Sequence, residues 1–190
     1  MKFLLRFRRT LKQSGRNLGF SLLEQIIILV IVGILSAIAA PGWNGFVQNR
    51  ELNVAQEQVQ MGIKQAQHLA KMQRIPYNFV IHDNTGRVEW GISPENRSPI
   101  EWKSAGALIR LDDKQTTFRK NTKLNQWFLV LDDDGSLSGQ LGRVTMCIKS
   151  SQNPSDCTRL QKCVIMSTLL GATRRGEWHN QQRDNRFNCY

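Results

Sequence analysis

Gly19-Phe20-Ser21-Leu22-Leu23-Glu24, with the apolar run that continues to Ala40, decides how the rest of the chain is read. Between Phe20 and Ala40 the only charged residue is Glu24. A helix over those residues rises ~1.5 Å per residue and reaches about 30 Å, the thickness of a hydrocarbon core. A carboxylate inside such a segment is costly in lipid, so it marks a functional position by default.

Upstream, Lys2, Arg6, Arg8, Arg9, Lys12 and Arg16 give residues 1–19 six positive charges and no acid. Basic residues before an apolar helix hold the N-terminus in the cytoplasm, which puts the bulk of the chain on the far side of the membrane. The formal charge of +11 owes six units to this leader, leaving +5. The high pI therefore does not by itself point to a nucleic-acid partner. A secretory signal peptide cut at Ala37-Ile38-Ala39 is the alternative. Against it, the run exceeds the usual ~7–15 apolar residues and carries a glutamate.

Beyond the run, Pro41 and Gly42 predict a kink, because proline removes a backbone donor and glycine loosens the helix. A helical pattern resumes, with Val47, Glu51, Ala55, Val59, Gly62, Ala66, Leu69 and Gln73 at spacings of three and four. It ends at Ile75-Pro76, since the residue before proline disfavours α geometry. After Pro76 the period changes to two. Tyr77–Ile81, Arg87–Trp90, Ala107–Leu111, Thr116–Arg119, Trp127–Leu131, Arg143–Ile148 and Leu160–Met166 read as short strands, and 91–106 as a loop. Turn signals lie between them, among them Asp83-Asn84-Thr85-Gly86 and Asp132-Asp133-Asp134-Gly135. The contiguous acids of the second fit a hairpin turn and not the spaced acids of a calcium loop.

The expected fold is α+β: one long helix, half membrane-spanning and half amphipathic, packed on a small antiparallel β head. The domains are a basic leader at 1–19, a spanning half at 20–40, a wet half at 41–75, a β-rich domain at 76–170 and a basic tail at 171–190. All four cysteines, Cys147, Cys157, Cys163 and Cys189, lie in the C-terminal quarter. An even count beside an export or membrane signal suggests disulfides. Cys147–Cys157 with Cys163–Cys189 is preferred, because each bridge closes a modest loop; Cys147–Cys163 with Cys157–Cys189 stays open. No zinc spacing is present. His68, His82 and His179 show no metal or triad spacing, and no nucleophile elbow, P-loop or dinucleotide glycine pattern occurs. Neither an enzyme nor a cofactor is expected.

The six residues quoted first, behind a basic leader and before an uninterrupted apolar helix, resemble the class III signal of type IV pilins and pseudopilins. The resemblance implies cleavage after Gly19 by a membrane prepilin peptidase, which also methylates the new amine of Phe20. It implies that Glu24 serves filament assembly. The partners it implies are that peptidase, other pilins or pseudopilins, an inner-membrane assembly platform and lipid. The head would be periplasmic or in an extracellular filament.

A second resemblance covers Trp127–Gly135, Val144–Cys147 and Val164–Gly171. It is to the GspH/FimT group of H-type pseudopilins and minor pilins, which implies a subunit of a type IV pilus or of a type II secretion pseudopilus. Some minor pilins of the FimT type take up DNA through a glycine-arginine motif at this place. Here Gly171-Ala172-Thr173-Arg174-Arg175 departs from it, since no arginine directly follows the glycine. Arg174, Arg175, Arg183 and Arg186, interleaved with aromatic residues, are the candidate DNA contacts of that alternative. If Gly19 is not cleaved, a plain membrane-anchored protein remains.

Overall fold

The computed structural model describes residues 21–84, 86–150, 157–183 and 187–190. The chain divides at Gly42 into two compact units. One helix, α1, is assigned over Leu22–Gln73. In the first unit its large apolar side chains, from Leu22 to Ile38, are all exposed. Neither Leu22–Ile38 nor Gly42–Gln73 alone is long and apolar enough to cross a membrane; the two pass that test only taken together. The expected span, Phe20–Ala40, begins outside the described residues.

In the second unit α1 buries Leu52, Ala55, Gln56, Val59, Gly62, Ile63, Ala66 and Ala70. This corrects the expected stripe. Ala55, Val59, Gly62 and Ala66 are on it; Val47 and Gln73 are exposed, while Glu51 and Leu69 lie at its margin. Leu52, Ile63 and Ala70 take their places, about a quarter-turn round the helix. α1 closes through Arg74, whose φ of 55° is left-handed and whose N–H donates to Ala70 O at 2.9 Å.

Ten strands follow: β1 Tyr77–Asn84, β2 Arg87–Pro94, β3 Lys103–Gly106, β4 Ile109–Leu111, β5 Arg119–Asn121, β6 Gln126–Leu131, β7 Arg143–Lys149, β8 Cys157–Met166, β9 Thr173–Arg183 and β10 Phe187–Cys189. They form two antiparallel sheets, ordered β3-β2-β1-β6-β5 and β10-β9-β8-β7-β4. The fold is α+β. One core joins the buried face of α1 to Phe79, Ile81, Val88, Trp90, Leu129 and Leu131 of the first sheet and to Ile109, Val144, Met146, Ile148, Val164 and Met166 of the second. On the other face of the second sheet Cys163, Ile165 and Cys189 make a small separate cluster.

Three strand expectations need correction. Part of the expected loop 91–106 is β2 running on to Pro94, and part is β3. Thr116–Arg119 shifts to β5 at Arg119–Asn121, because Thr116 and Thr117 cross β7 instead. There the Thr116 hydroxyl accepts Thr145 N–H at 3.1 Å, and Thr117 N–H donates to Arg143 O at 2.8 Å. The expected tail is β9 and β10. β9 has almost no apolar alternation, so its strand character comes from pairing with β8 and not from its own sequence pattern.

The turns are as the sequence reads them. Asp83 Oδ1 accepts Gly86 N–H at 3.0 Å, with Gly86 at φ 83°. The 132–135 acids form a tight turn, with Gly135 N–H donating to Asp132 O at 2.8 Å and Asp134 Oδ1 accepting Ser136 N–H at 2.8 Å. The disulfides are Cys147–Cys157 and Cys163–Cys189, which decides between the two open pairings.

Gln56 and Gly62 are two of the points that fix α1 on the sheets. The buried Gln56 amide donates to Cys163 O at 2.8 Å and to Gly176 O at 2.9 Å. At Gly62 the helix approaches the first sheet closely: a Cβ there would lie 2.6 Å from the Trp90 ring and 2.8 Å from the Phe79 ring. Gly62→Val therefore gains a few tenths of a kcal/mol of helix propensity and loses more to overpacking, a net cost of about 2 kcal/mol. Thermal unfolding of the variant is expected several degrees below the parent. An unchanged midpoint would show that the helix does not pack here.

Candidate functional site

The residues singled out by the sequence fall in two places, the N-terminal end of α1 and strand β9. Gly19 and Phe20 lie outside the described residues. Ser21 is the last residue before the helix, and its Oγ accepts the Glu24 N–H at 3.2 Å. That is an N-cap: a hydroxyl satisfies one of the backbone donors that a helix start leaves unpaired. The sequence Ser21-Leu22-Leu23-Glu24 has the spacing of a capping box. Sequence reasoning used Ser21 only as part of a motif; the structure gives it a local job. The cap starts α1 at Leu22 and puts the Glu24 carboxylate in the first turn, at the positive end of the helix dipole. Gly42 lies within α1, as does the backbone of Pro41.

Arg174 and Arg175 are both exposed on β9, paired with Ile165 and Val164 of β8. Successive strand residues point to opposite faces. Arg175 shares a face with Val164, which is in the main core, and Arg174 one with Ile165, which is in the small outer cluster. Sequence adjacency thus does not make them a single cationic pair. Arg183 ends β9, and Arg186 lies outside the described residues.

Around them, Glu177 accepts from the Lys162 ammonium at 2.8 Å, and that hydrogen bond and charge hold its carboxyl below the usual range. The His179 ring stacks on Tyr190 with centroids 4.2 Å apart. These two tail aromatics therefore face each other. The cysteines that close this region are Cys163 and Cys189, both fully buried.

Of the histidines, His68 is exposed on α1. His82 is mostly covered, its ring set edge-on to Trp102 at 4.3 Å and its Nε2 3.6 Å from Glu89 Oε2. Burial lowers its pKa below 6.5, and Glu89 opposes this only in part. A lowered folded-state pKa means that the unfolded chain binds the proton first. The stability that neutral His82 contributes is present above the unfolded value near 6.5 and is lost as pH falls through the folded value. Denaturant midpoints should fall as the pH drops below 6.5, and His82→Gln should flatten that dependence. An equal slope in the variant would assign the effect to other groups. Among the described residues no group of three or more His, Cys, Asp or Glu could hold a metal ion.

No family model matches the chain, and no curated protein matches it. Among solved structures, the crystal structure of the type IV minor pilin FimU from Pseudomonas aeruginosa is similar. The two share 14% identity at a TM-score of 0.44, and the match covers 68% of this chain and 90% of that one. The function of the present chain has to be argued from its own residues.

Proposed function

We propose that the chain is a minor pilin or pseudopilin, a structural and assembly subunit of a type IV pilus or a type II secretion pseudopilus. The observation that carries this is Gly19-Phe20-Ser21-Leu22-Leu23-Glu24 between a basic leader and an apolar helix. The N-cap at Ser21 supports it, because it starts the helix just past the proposed cut and places Glu24 one turn in. So does the continuation of α1, which packs on a disulfide-bonded β head.

On this reading a prepilin peptidase cuts after Gly19 and methylates Phe20. The segment Phe20–Ala40 spans the inner membrane once with its N-terminus in the cytoplasm, and Pro41-Gly42 kinks the helix where it leaves lipid. The chain meets other pilins and the assembly platform, binds no cofactor and catalyses nothing itself. Deleting it and assaying piliation, protein secretion and transformation together tests the reading: loss of piliation or secretion is expected. A mutant with both intact would refute it.

A second reading, DNA uptake by the same subunit, is favoured by the exposure of Arg174 and Arg175. Duplex DNA titrated into the protein at two salt concentrations is then expected to bind less tightly at the higher salt. Each lost phosphate contact reduces the log–log salt slope by about one. Because the two side chains leave opposite faces of β9, one of Arg174→Ala and Arg175→Ala should carry most of the loss. Binding that ignores salt, or survives both substitutions, removes this reading.

A further inference from the structure

The outward face of α1 just after Gly42 carries an aromatic pair that the fold does not use. Trp43 is 66% and Phe46 60% exposed, with ring centroids 6.1 Å apart. Val47, one turn on from Trp43, is 40% exposed, and Arg50, one turn on from Phe46, is exposed as well. Residues at spacings of three, four and seven share one helix face. The core side chains Leu52, Ala55 and Val59 lie on the opposite face, so this strip is directed away from the sheets. Between Gly42 and Val54 the only charged residues are Arg50 and Glu51. Glu51 is turned aside: its Oε1 accepts the Leu108 N–H at 3.1 Å. The charge left on the strip is a single positive one.

We propose that Trp43, Phe46 and Arg50 form an interfacial anchor, a binding site for the lipid headgroup region where the chain leaves the bilayer. It rests on the reading of Phe20–Ala40 as a membrane span. The chemistry fits that one environment. Tryptophan gathers at the membrane–water boundary, where the amphipathic indole keeps its N–H wet, and the Phe46 ring adds apolar area beside it. Arg50 lies a turn further out, at the depth of lipid phosphates, where a guanidinium finds an anionic partner. Trp43 directly follows Gly42, the residue after the last of the apolar run and its proline, so the pair falls at the boundary without any further chain to cross.

Tryptophan fluorescence tests this on the full chain reconstituted in vesicles of phosphatidylethanolamine and phosphatidylglycerol. The chain has five tryptophans, so the signal of Trp43 is taken as the difference between the parent and Trp43→Phe, an exposed and conservative change. Lipids brominated near the headgroup should quench this difference signal about twofold or more, and lipids brominated near the chain ends should quench it less. If neither lipid quenches it while the protein resists carbonate extraction, the span stands and the anchor is refuted. Stronger quenching from the chain ends also refutes it, because the ring would then sit in hydrocarbon. Release by carbonate refutes the span and the anchor with it.

Discussion

Gly19→Ala is expected to leave the chain uncut, with the precursor that retains residues 1–19 accumulating in the membrane fraction. The leader and the apolar run are unchanged in this variant, so insertion proceeds; what changes is one methyl group at the proposed scissile bond. A protease pocket shaped around a residue without Cβ discriminates against an added methyl by roughly tenfold or more in the specificity constant. Processing followed by gel mobility and by the mass of the isolated chain reads the effect directly. Leu18→Ala, a neighbour with no assigned role, should be cut normally. Equal processing of Gly19→Ala and the parent would show that Gly19 is not the cleavage residue, and the meaning given to the following five residues would go with it.

Glu24→Ala is expected to give the opposite phenotype: normal cleavage and failed incorporation into the filament. A carboxylate near the hydrocarbon region costs about 2.5–3.5 kcal/mol, which persists in a sequence only if something offsets it. The proposed partner is the amine of Phe20, at nearly the same depth in the same or a neighbouring subunit. Truncating Glu24 removes the carboxylate's own cost, so the variant monomer is not the species that suffers. The amine left in a low-dielectric interface without a partner is, and breaking such a pair costs more than replacing it whole. Breaking a buried pair costs about 3–5 kcal/mol, which corresponds to on the order of a hundredfold or more less incorporation. The N-cap does not confound the test, because the Ser21 hydroxyl accepts from the backbone N–H of residue 24, which alanine retains. Incorporation of Glu24→Ala at the level of the parent would remove Glu24 from the assembly role.

The parts of the fold legible in the sequence are those whose chemistry is local. The helix over 22–73 follows from the apolar run and the periodicity that resumes after it, and the turns at Gly86 and Gly135 follow from residues that tolerate positive φ. The covered stripe of α1 was harder to place. Gln56 is polar yet fully inside, because its amide serves two strand carbonyls, and Leu69 is apolar yet only half covered. No hydropathy pattern encodes that exchange. β9 was illegible for the same kind of reason: its residues are mostly polar, and Gly176 packs against the Cys163 sulfur, with a Cβ position only 2.8 Å from it. Pairing with β8 and β10 makes it a strand, and neither partner is visible in the run Thr173–Arg183 itself.

The candidate sites divide along the same line. The motif at Gly19–Glu24 is contiguous, so its reading needs no tertiary information, and the structure adds the Ser21 cap. The arginines are different. Their adjacency suggests a cationic pair until β9 is known to be extended, whereupon Arg174 and Arg175 separate to its two faces.

As proposed, this chain is first the substrate of a prepilin peptidase and then a filament subunit. The most direct test is mass spectrometry of the N-terminal peptide of the mature protein purified from membranes. The expected chain begins at Phe20 and carries one methyl group on its α-amine. A chain that begins at Ala40, or one that still begins at Met1, would contradict it.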